Sequence, residues 1–310
     1  MKIKKLKRIG MGVLSLVMLG SISLFAQSTS LAMPGTQEGG TARAMSMGSA
    51  VVGLPQGSAS LFWNPAGLAS MDALELGLHH NSGLGEAIQE TVVFGMPMGA
   101  FGSFAVSLNY VDNGTFEGRD IVGVQLANYT AGDLGVNLGW GYQLLPGFSG
   151  GVAVKYNLQT LASQSYSAYS MDAGILWNAF STLNLGVTYS NLGTTVAGSQ
   201  MDTGIRVGAS YSFMKELLVA VSSELKPAGF ERMQAGAESI LVPGVALRAG
   251  YVFNFASPNL EGLTGLTAGI GVEVLKDVMF DYAYIPYGEL GTSHRISLVC
   301  KFTADPVHPK

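Results

Sequence analysis

Few residues of this chain could carry chemistry. Charged side chains make up 12% of its 310 residues. Several of them stand alone between apolar neighbours: Lys155, Arg206, Glu224, Arg248, Glu273, Asp281 and Arg295. Lys155, Arg206, Arg248 and Arg295 could bind a carboxylate head group. They could instead pair with Glu224, Glu238, Glu273 and Asp281. Pairing is favoured, because an unmatched buried ion is costly. The histidines are His79, His80, His294 and His308. His79-His80-Asn81-Ser82 holds the residue types of a His–Ser hydrolase dyad, but that chemistry needs an oriented partner from a second element. In a strand, His79 and His80 point to opposite faces, so they cannot share a metal. The glycine-rich run Gly265–Gly271 opens no helix, so it is no phosphate cradle. Cys300 is the single cysteine, which rules out a disulfide framework and a thiolate metal cluster. No enzyme, cofactor or metal is expected.

The elements that must position these charges have period two. Leu74, Leu76 and Leu78 alternate with Glu75, Gly77 and His79. Phe104, Val106, Leu108 and Tyr110 alternate with Ser103, Ala105, Ser107 and Asn109. The pattern recurs through Leu134–Tyr142, Val152–Leu158, Leu183–Tyr189, Ile205–Tyr211, Val245–Phe253 and Ile296–Phe302. Such alternation gives strands with one apolar face. Turn signals lie between them: Asp112-Asn113-Gly114, Pro146-Gly147, Asn191-Leu192-Gly193, Lys226-Pro227-Ala228-Gly229 and Pro243-Gly244. The count is about fourteen strands of roughly nine to twelve residues, the length of a tilted strand crossing a bilayer.

The second face settles the fold class. It carries mainly Gly, Ala, Ser, Thr and Asn, and the charges named above share its parity. In a soluble sandwich that face would meet water and carry many Lys and Glu. In a membrane barrel the charges must face inward and the lipid face must lack them. The expected fold is therefore all-β: a closed transmembrane antiparallel barrel over residues 71–303, its lumen narrow or filled. Tyr110, Tyr142, Tyr189, Tyr211, Tyr251 and Tyr284 near strand ends could form interfacial girdles. An exported soluble β-sandwich is the minority alternative.

Residues 1–32 have the layout of a secretory signal peptide, with a basic start (Lys2 to Arg8), an apolar stretch, and possible cleavage after Ala26 or Ala32. Its five basic residues removed from 17 leave 12 against 21 acids, a net charge of −9. That balance disfavours nucleic acid as a partner. Residues 33–70 do not alternate and could fold back into the lumen as a plug. Arg43 could seat that plug by pairing with a lumen acid such as Glu273 or Asp281. Asn64-Pro65-Ala66-Gly67 is a turn sequence, since Pro fixes one backbone angle and Gly permits another. It could gate a ligand path or simply hold the plug. The last strand alternates Ile296, Leu298, Cys300 and Phe302 on one face and ends on an aromatic. This resembles the C-terminal signal read by the barrel-assembly machinery, although a tail of residues 304–310 follows it.

The chain as a whole resembles the PorV/PorQ group of outer-membrane barrels, close to the UPF0164 proteins and within the FadL-like fatty-acid transporter superfamily. The residues that carry the likeness are Gly40–Arg43, Met47-Gly48-Ser49-Ala50 and Asn64-Pro65-Ala66-Gly67-Leu68, then Lys155, Asp172-Ala173-Gly174 and Asn191-Leu192-Gly193. Ala235-Gly236-Ala237-Glu238, Arg248-Ala249-Gly250-Tyr251, Asp281-Tyr282-Ala283-Tyr284, Leu290-Gly291 and His294–Leu298 complete it. One departure stands at Gln56 and Gly57, where relatives often carry acids. The resemblance implies a fourteen-stranded barrel with an N-terminal hatch in the bacterial outer membrane. It implies one of two roles. The first is passive transport of hydrophobic small molecules such as fatty acids. The second is a PorV-like part in type IX protein secretion, in which loops near Asp112–Arg119, Leu161–Ser170 and Ala256–Gly265 bind partner proteins.

Overall fold

The computed structural model describes residues 40–83, 87–195, 201–227, 229–255 and 264–302. The signal segment with both cleavage positions and the tail after Phe302 lie outside the described residues. Fourteen strands follow one another in chain order: β1 (Leu74–Ser82), β2 (Ile88–Pro97), β3 (Ser103–Phe116), β4 (Tyr129–Leu145), β5 (Phe148–Leu161), β6 (Gln164–Phe180) and β7 (Leu183–Gly193) form one half. The other half is β8 (Gly204–Met214), β9 (Leu217–Lys226), β10 (Gly229–Val242), β11 (Val245–Asn254), β12 (Leu266–Leu275), β13 (Val278–Pro286) and β14 (Thr292–Phe302). Each pairs antiparallel with its neighbours, and β1 closes on β14 from Leu74↔Phe302 to Ser82↔His294. Closure leaves no edge strand, the condition a sheet must meet in hydrocarbon.

Alternation places side chains on the two sides of this wall. Phe104, Val106, Leu108 and Tyr110 of β3 are 36%, 43%, 49% and 50% exposed, while Ser103, Ala105, Ser107 and Asn109 between them are each 2% exposed. The molecule is thus apolar outside and polar inside. Each outward Leu, Val or Phe left in water would forgo roughly 1.5–3 kcal/mol of burial, repeated around the ring. An acyl environment removes that penalty.

The two ends differ. Five two-residue turns, at 146–147, 181–182, 215–216, 243–244 and 276–277, share one end with the start of β1 and the finish of β14. Each follows a register slip of one residue, as between Gln143 and Leu145 or Ile240 and Val242. These bulges sharpen the local twist and let a short connection reverse the chain. The opposite end holds the connection 117–128 between β3 and β4, the finish of β7 and β11 and the start of β8 and β12. The ends are called the turn end and the loop end below. Of the strand-end tyrosines, Tyr142 and Tyr211 lie toward the turn end, and Tyr189, Tyr251 and Tyr284 toward the loop end.

Three expectations need correction. Five strands exceed the expected length: β3, β5 and β10 have 14 residues, and β4 and β6 have 17. Pairing continues past the bilayer's needs because hydrogen-bonded strands remain favourable in water, as at Phe116↔Tyr129. Asp112-Asn113-Gly114 is not a turn but a bulge inside β3, where Gly114 has φ 84° and its N–H donates to Asp112 Oδ1 at 2.9 Å. Asn191-Leu192-Gly193 likewise ends β7 beside a register slip, with Asn191 at φ 57°. Asn, Asp and Gly accept left-handed backbone angles in bulges as readily as in turns, so the same letters serve both. The Leu161–Ser170 loop is instead a tight hairpin in which Leu161 pairs with Gln164 and β6 begins at once. Of the two other supposed loops, most of 256–265 lies outside the described residues, and 112–116 belongs to β3.

Residues 40–73 lie within the ring. They form a short helix α1 (Ala42–Ser46), a 3-10 turn (Gly57–Ala59), helix α2 (Ser60–Trp63) and a second 3-10 turn (Pro65–Ser70). Met47, Val51, Leu61 and Leu68 of this luminal segment are fully buried and pack with Val93, Ala105, Ala153, Ala220 and Ala283 of the wall. The hydrophobic core is therefore the content of the barrel. Wall glycines make room for it. A Cβ at Gly151 would collide with Pro65, one at Gly174 with Asn64, one at Gly186 with Val52 and one at Gly236 with Met47.

Candidate functional site

Three groups of luminal charges are each built by neighbouring strands. The first joins the luminal segment to the wall. Glu238 on β10 stands directly opposite Arg248 on β11. Arg43 of α1 donates to both carboxylate oxygens of Glu238, Nε to Oε2 at 2.9 Å and Nη2 to Oε1 at 2.7 Å. Arg248 Nε donates to Glu238 Oε2 at 2.6 Å, and its Nη1 reaches across β12 to Asp281 Oδ1 on β13 at 2.6 Å. Gly271 on β12 makes that reach possible, since a Cβ there would occupy the place of Asp281 Oδ1 and the Arg248 guanidinium. Two-point contact of a planar guanidinium with a carboxylate fixes geometry as well as charge. The expected partners of Arg43 are thus corrected. Its acid is Glu238, not Glu273 or Asp281, because the β10–β11 register aims Glu238 at α1.

The second group centres on Glu224 of β9. Arg206 of β8 lies 3.4 Å from its Oε1, Arg232 of β10 donates to its Oε2 at 2.6 Å, and the Arg206 guanidinium stands 5.9 Å above the ring of Trp63. The third holds Lys155 of β5, whose Nζ lies 2.6 Å from Asp172 and donates to Asn191 Oδ1 at 3.0 Å. The Asn191 N–H donates to Asp172 Oδ1 at 2.8 Å, so the bulge at the end of β7 completes the ion pair.

Two of the expected luminal charges stand apart. Glu273 has inward parity but lies at the rim of the turn end, exposed, where it accepts from the Asp277 N–H at 3.2 Å. It pairs with none of the luminal cations among the described residues. Arg295 is 4% exposed, has no carboxylate within 4 Å among the described residues, and its Nη1 lacks a hydrogen-bond partner. Pairing accounts for the other cations, not for this one.

Asn64, Pro65, Ala66 and Gly67 form the turn after α2. Asn64 Nδ2 donates to Val52 O at 2.9 Å and to Ile175 O on β6 at 3.0 Å, while its Oδ1 accepts from Ala66 N at 3.2 Å. Gly67 leaves room for the Ser60 hydroxyl. These contacts seat the lower part of the luminal segment on β5 and β6. The segment is tied elsewhere by the Ala42 N–H to Ser297 Oγ at 2.8 Å and the Gly48 N–H to Thr267 Oγ1 at 3.0 Å. Ser297 lies in the run His294–Leu298, and Thr267 and Gly271 lie in the run Gly265–Gly271, but the sequence assigns none of the three, nor Trp63, a luminal role.

Two cavities flank α1. One of about 540 Å³ opens toward the loop end and is lined by Met45, Ser49, Arg232, Gln234, Val252 and Ile285 among others. The other, of about 400 Å³, lies toward the turn end beside Arg43 and Glu238. Residues 41–49 stand between them, held by the Arg43–Glu238 contact.

This arrangement has counterparts among solved structures. The toluene transporter TodX of P. putida is similar over 87% of this chain and 100% of its own, with 14% identity and a TM-score of 0.67. The chain has the TodX fold. The monoaromatic hydrocarbon channel CymD matches 87% of this chain and 99% of its own at 12% identity and a TM-score of 0.62. A Pseudomonas aeruginosa FadL homologue matches 89% and 98% at 13% identity and 0.50. No protein-family model and no curated protein sequence matches the chain.

Proposed function

We propose that this protein is a passive channel of a bacterial outer membrane for hydrophobic small molecules, with residues 41–49 as its moving part. The observation that carries the reading is the pair of cavities on either side of α1, closed from one another by a segment that a few hydrogen bonds hold. The loop-end cavity offers an apolar guest Met45, Val252, Ile285 and Pro286 beside the polar Arg232, Gln234 and Thr267. The apolar exterior and the fold shared with proteins described as toluene and hydrocarbon channels support the same reading. Fatty acids and aromatic hydrocarbons are both within this class.

A disulfide lock tests it. Ala42→Cys with Ser297→Cys, in a Cys300→Ser background, should crosslink α1 to β14, where the two positions now share a hydrogen bond. Uptake of labelled toluene into proteoliposomes should fall on oxidation and return on reduction. Equal uptake in both states would remove the moving segment. No uptake by the unaltered protein would remove the channel.

A second reading, a scaffold for protein secretion, draws on the connection 117–128, where Ile121, Val122, Val124 and Leu126 stand exposed. Photocrosslinking from position 122 in native membranes should recover a secretion component if it holds, and lipid alone if it does not.

A further inference from the structure

The outward face of the ring breaks its apolar rule in one sector. A wall that meets lipid should lack charge, yet Glu90 of β2 and His80 of β1 both have outward parity. They stand opposite each other in the β1–β2 pair, and His80 Nδ1 lies 2.7 Å from Glu90 Oε1. The Glu90 side chain is 54% exposed and that of His80 44%. His294 of β14, on the other flank of β1, is outward and exposed too. Its Nδ1 lies 2.7 Å from the Tyr282 hydroxyl and its Nε2 3.3 Å from Thr292 Oγ1, while its ring packs against Tyr284. His80, Glu90 and His294 each sit two residues from the loop end of their strands. Across β7–β12 the outward side chains toward that end are apolar or aromatic instead: Tyr189, Ile205, Leu225, Phe230, Phe253 and Leu266. Lipid head groups surround the whole ring alike. They give no reason for ionisable side chains to gather on one side of it.

The sector is polarised. Glu90 supplies an acid on β2, and its Oε2 has no partner among the described residues. The imidazole of His294 and the hydroxyls of Thr292 and Tyr282 supply donors on β14 and β13. Between these flanks runs the β1–β14 seam, where His80 pairs with Ile296. Toward the turn end the seam shows Leu76, Leu78 and Leu298. Two strand spacings, roughly 10 Å, separate β2 from β14, so a neighbouring barrel can touch both flanks at once. A two-fold axis along the membrane normal at this seam exchanges the flanks, because in a symmetric pair residue i meets j and j meets i. Glu90 of each copy then faces His294 of the other, and Ile296 lies beside its own counterpart at the axis. The acid meets donors twice, and the apolar seam meets itself.

We propose that this sector is the contact face for a second copy of the chain in the same membrane, in a two-fold pair centred on the β1–β14 seam. Glu90 and His294 make the polar contact near the loop end, and Leu78, Ile296 and Leu298 pack beneath it. The inference stands apart from the channel reading, since it concerns only the outer face.

Cysteine crosslinking of the full chain in bacterial outer membranes tests it. In a Cys300→Ser background, Ile296→Cys should give a disulfide-linked dimer on oxidation. Val207→Cys, outward on β8 at the far side of the ring, should give none. Adding Glu90→Lys to Ile296→Cys should slow the initial rate of crosslinking about fivefold, the worth of two interfacial hydrogen bonds in a membrane. Adding His294→Asp to that variant should restore most of the rate. Within one copy β1 separates positions 90 and 294, so the rescue reports on contact between copies. Heat-modifiable migration checks that each variant is folded. No dimer from Ile296→Cys, or equal crosslinking from Val207→Cys, would overturn the proposal and leave the sector to lipid head groups. A rate untouched by Glu90→Lys, or no rescue in the double variant, would overturn the Glu90–His294 contact on which it stands.

Discussion

Glu238 is the side chain that ties the luminal segment to the wall. It accepts from Arg43 across 195 residues of sequence and from Arg248 on the next strand. Its removal would leave two guanidinium groups without their common acid in a largely water-excluded site. Breaking a buried pair from one side costs about 3–5 kcal/mol. Glu238→Ala is therefore expected to lower the unfolding midpoint far more than Arg43→Ala, since Arg43 is the more exposed partner and can turn to water. Urea titration of heat-modifiable migration measures both. Arg295 gives the opposite expectation. With no carboxylate beside it among the described residues, Arg295→Met strands no acid and should be neutral or stabilising. A loss comparable to that of Arg248→Met would show that Arg295 is matched by a charge after all.

The strands and the luminal segment fit one another through glycine. At Gly174 an added Cβ would sit on the Asn64 side chain that links α2 to β6. Gly174→Val should dislodge residues 60–70 while the ring, held by its own hydrogen bonds, remains closed. Hydrogen exchange should then rise in residues 60–70 with little change in β5 and β6. Equal exchange in variant and parent would mean that the seat is softer than the geometry implies. The same fit explains which parts of these elements were readable beforehand. A face made of glycine and small polar residues announces that something lies close against it. Which glycine meets which residue of the segment depends on the path of an irregular chain, which has no period to read. Asp112-Asn113-Gly114 shows a related limit. Its letters specify a left-handed backbone angle, and both a turn and a bulge satisfy them.

The molecule is turned inside out relative to a water-soluble protein, and one pair of adjacent residues illustrates it. Val154 points outward and is 54% exposed, while Lys155 points inward and is 9% exposed. Val154→Arg would place a charge among acyl chains and is expected to cost about 2–4 kcal/mol of folding free energy in bilayers, as charges at the midplane of barrels do. Folding yields into liposomes, compared with those of the parent, give the measure. An unchanged yield would argue that the outer face does not meet lipid.

Alternation alone required a two-faced wall, and the inward parity of Lys155, Arg206, Glu224, Arg248, Asp281 and Arg295 required that wall to close, because charge cannot face hydrocarbon. Both follow from a local rule: successive side chains of a strand point opposite ways. The partners of those charges obey no local rule. Arg43 meets Glu238, and Lys155 meets Asp172 and Asn191, only because ring closure sets the register of every strand and the luminal segment threads one route through the interior. Register and route are properties of the whole ring, so they came into view only with the tertiary structure.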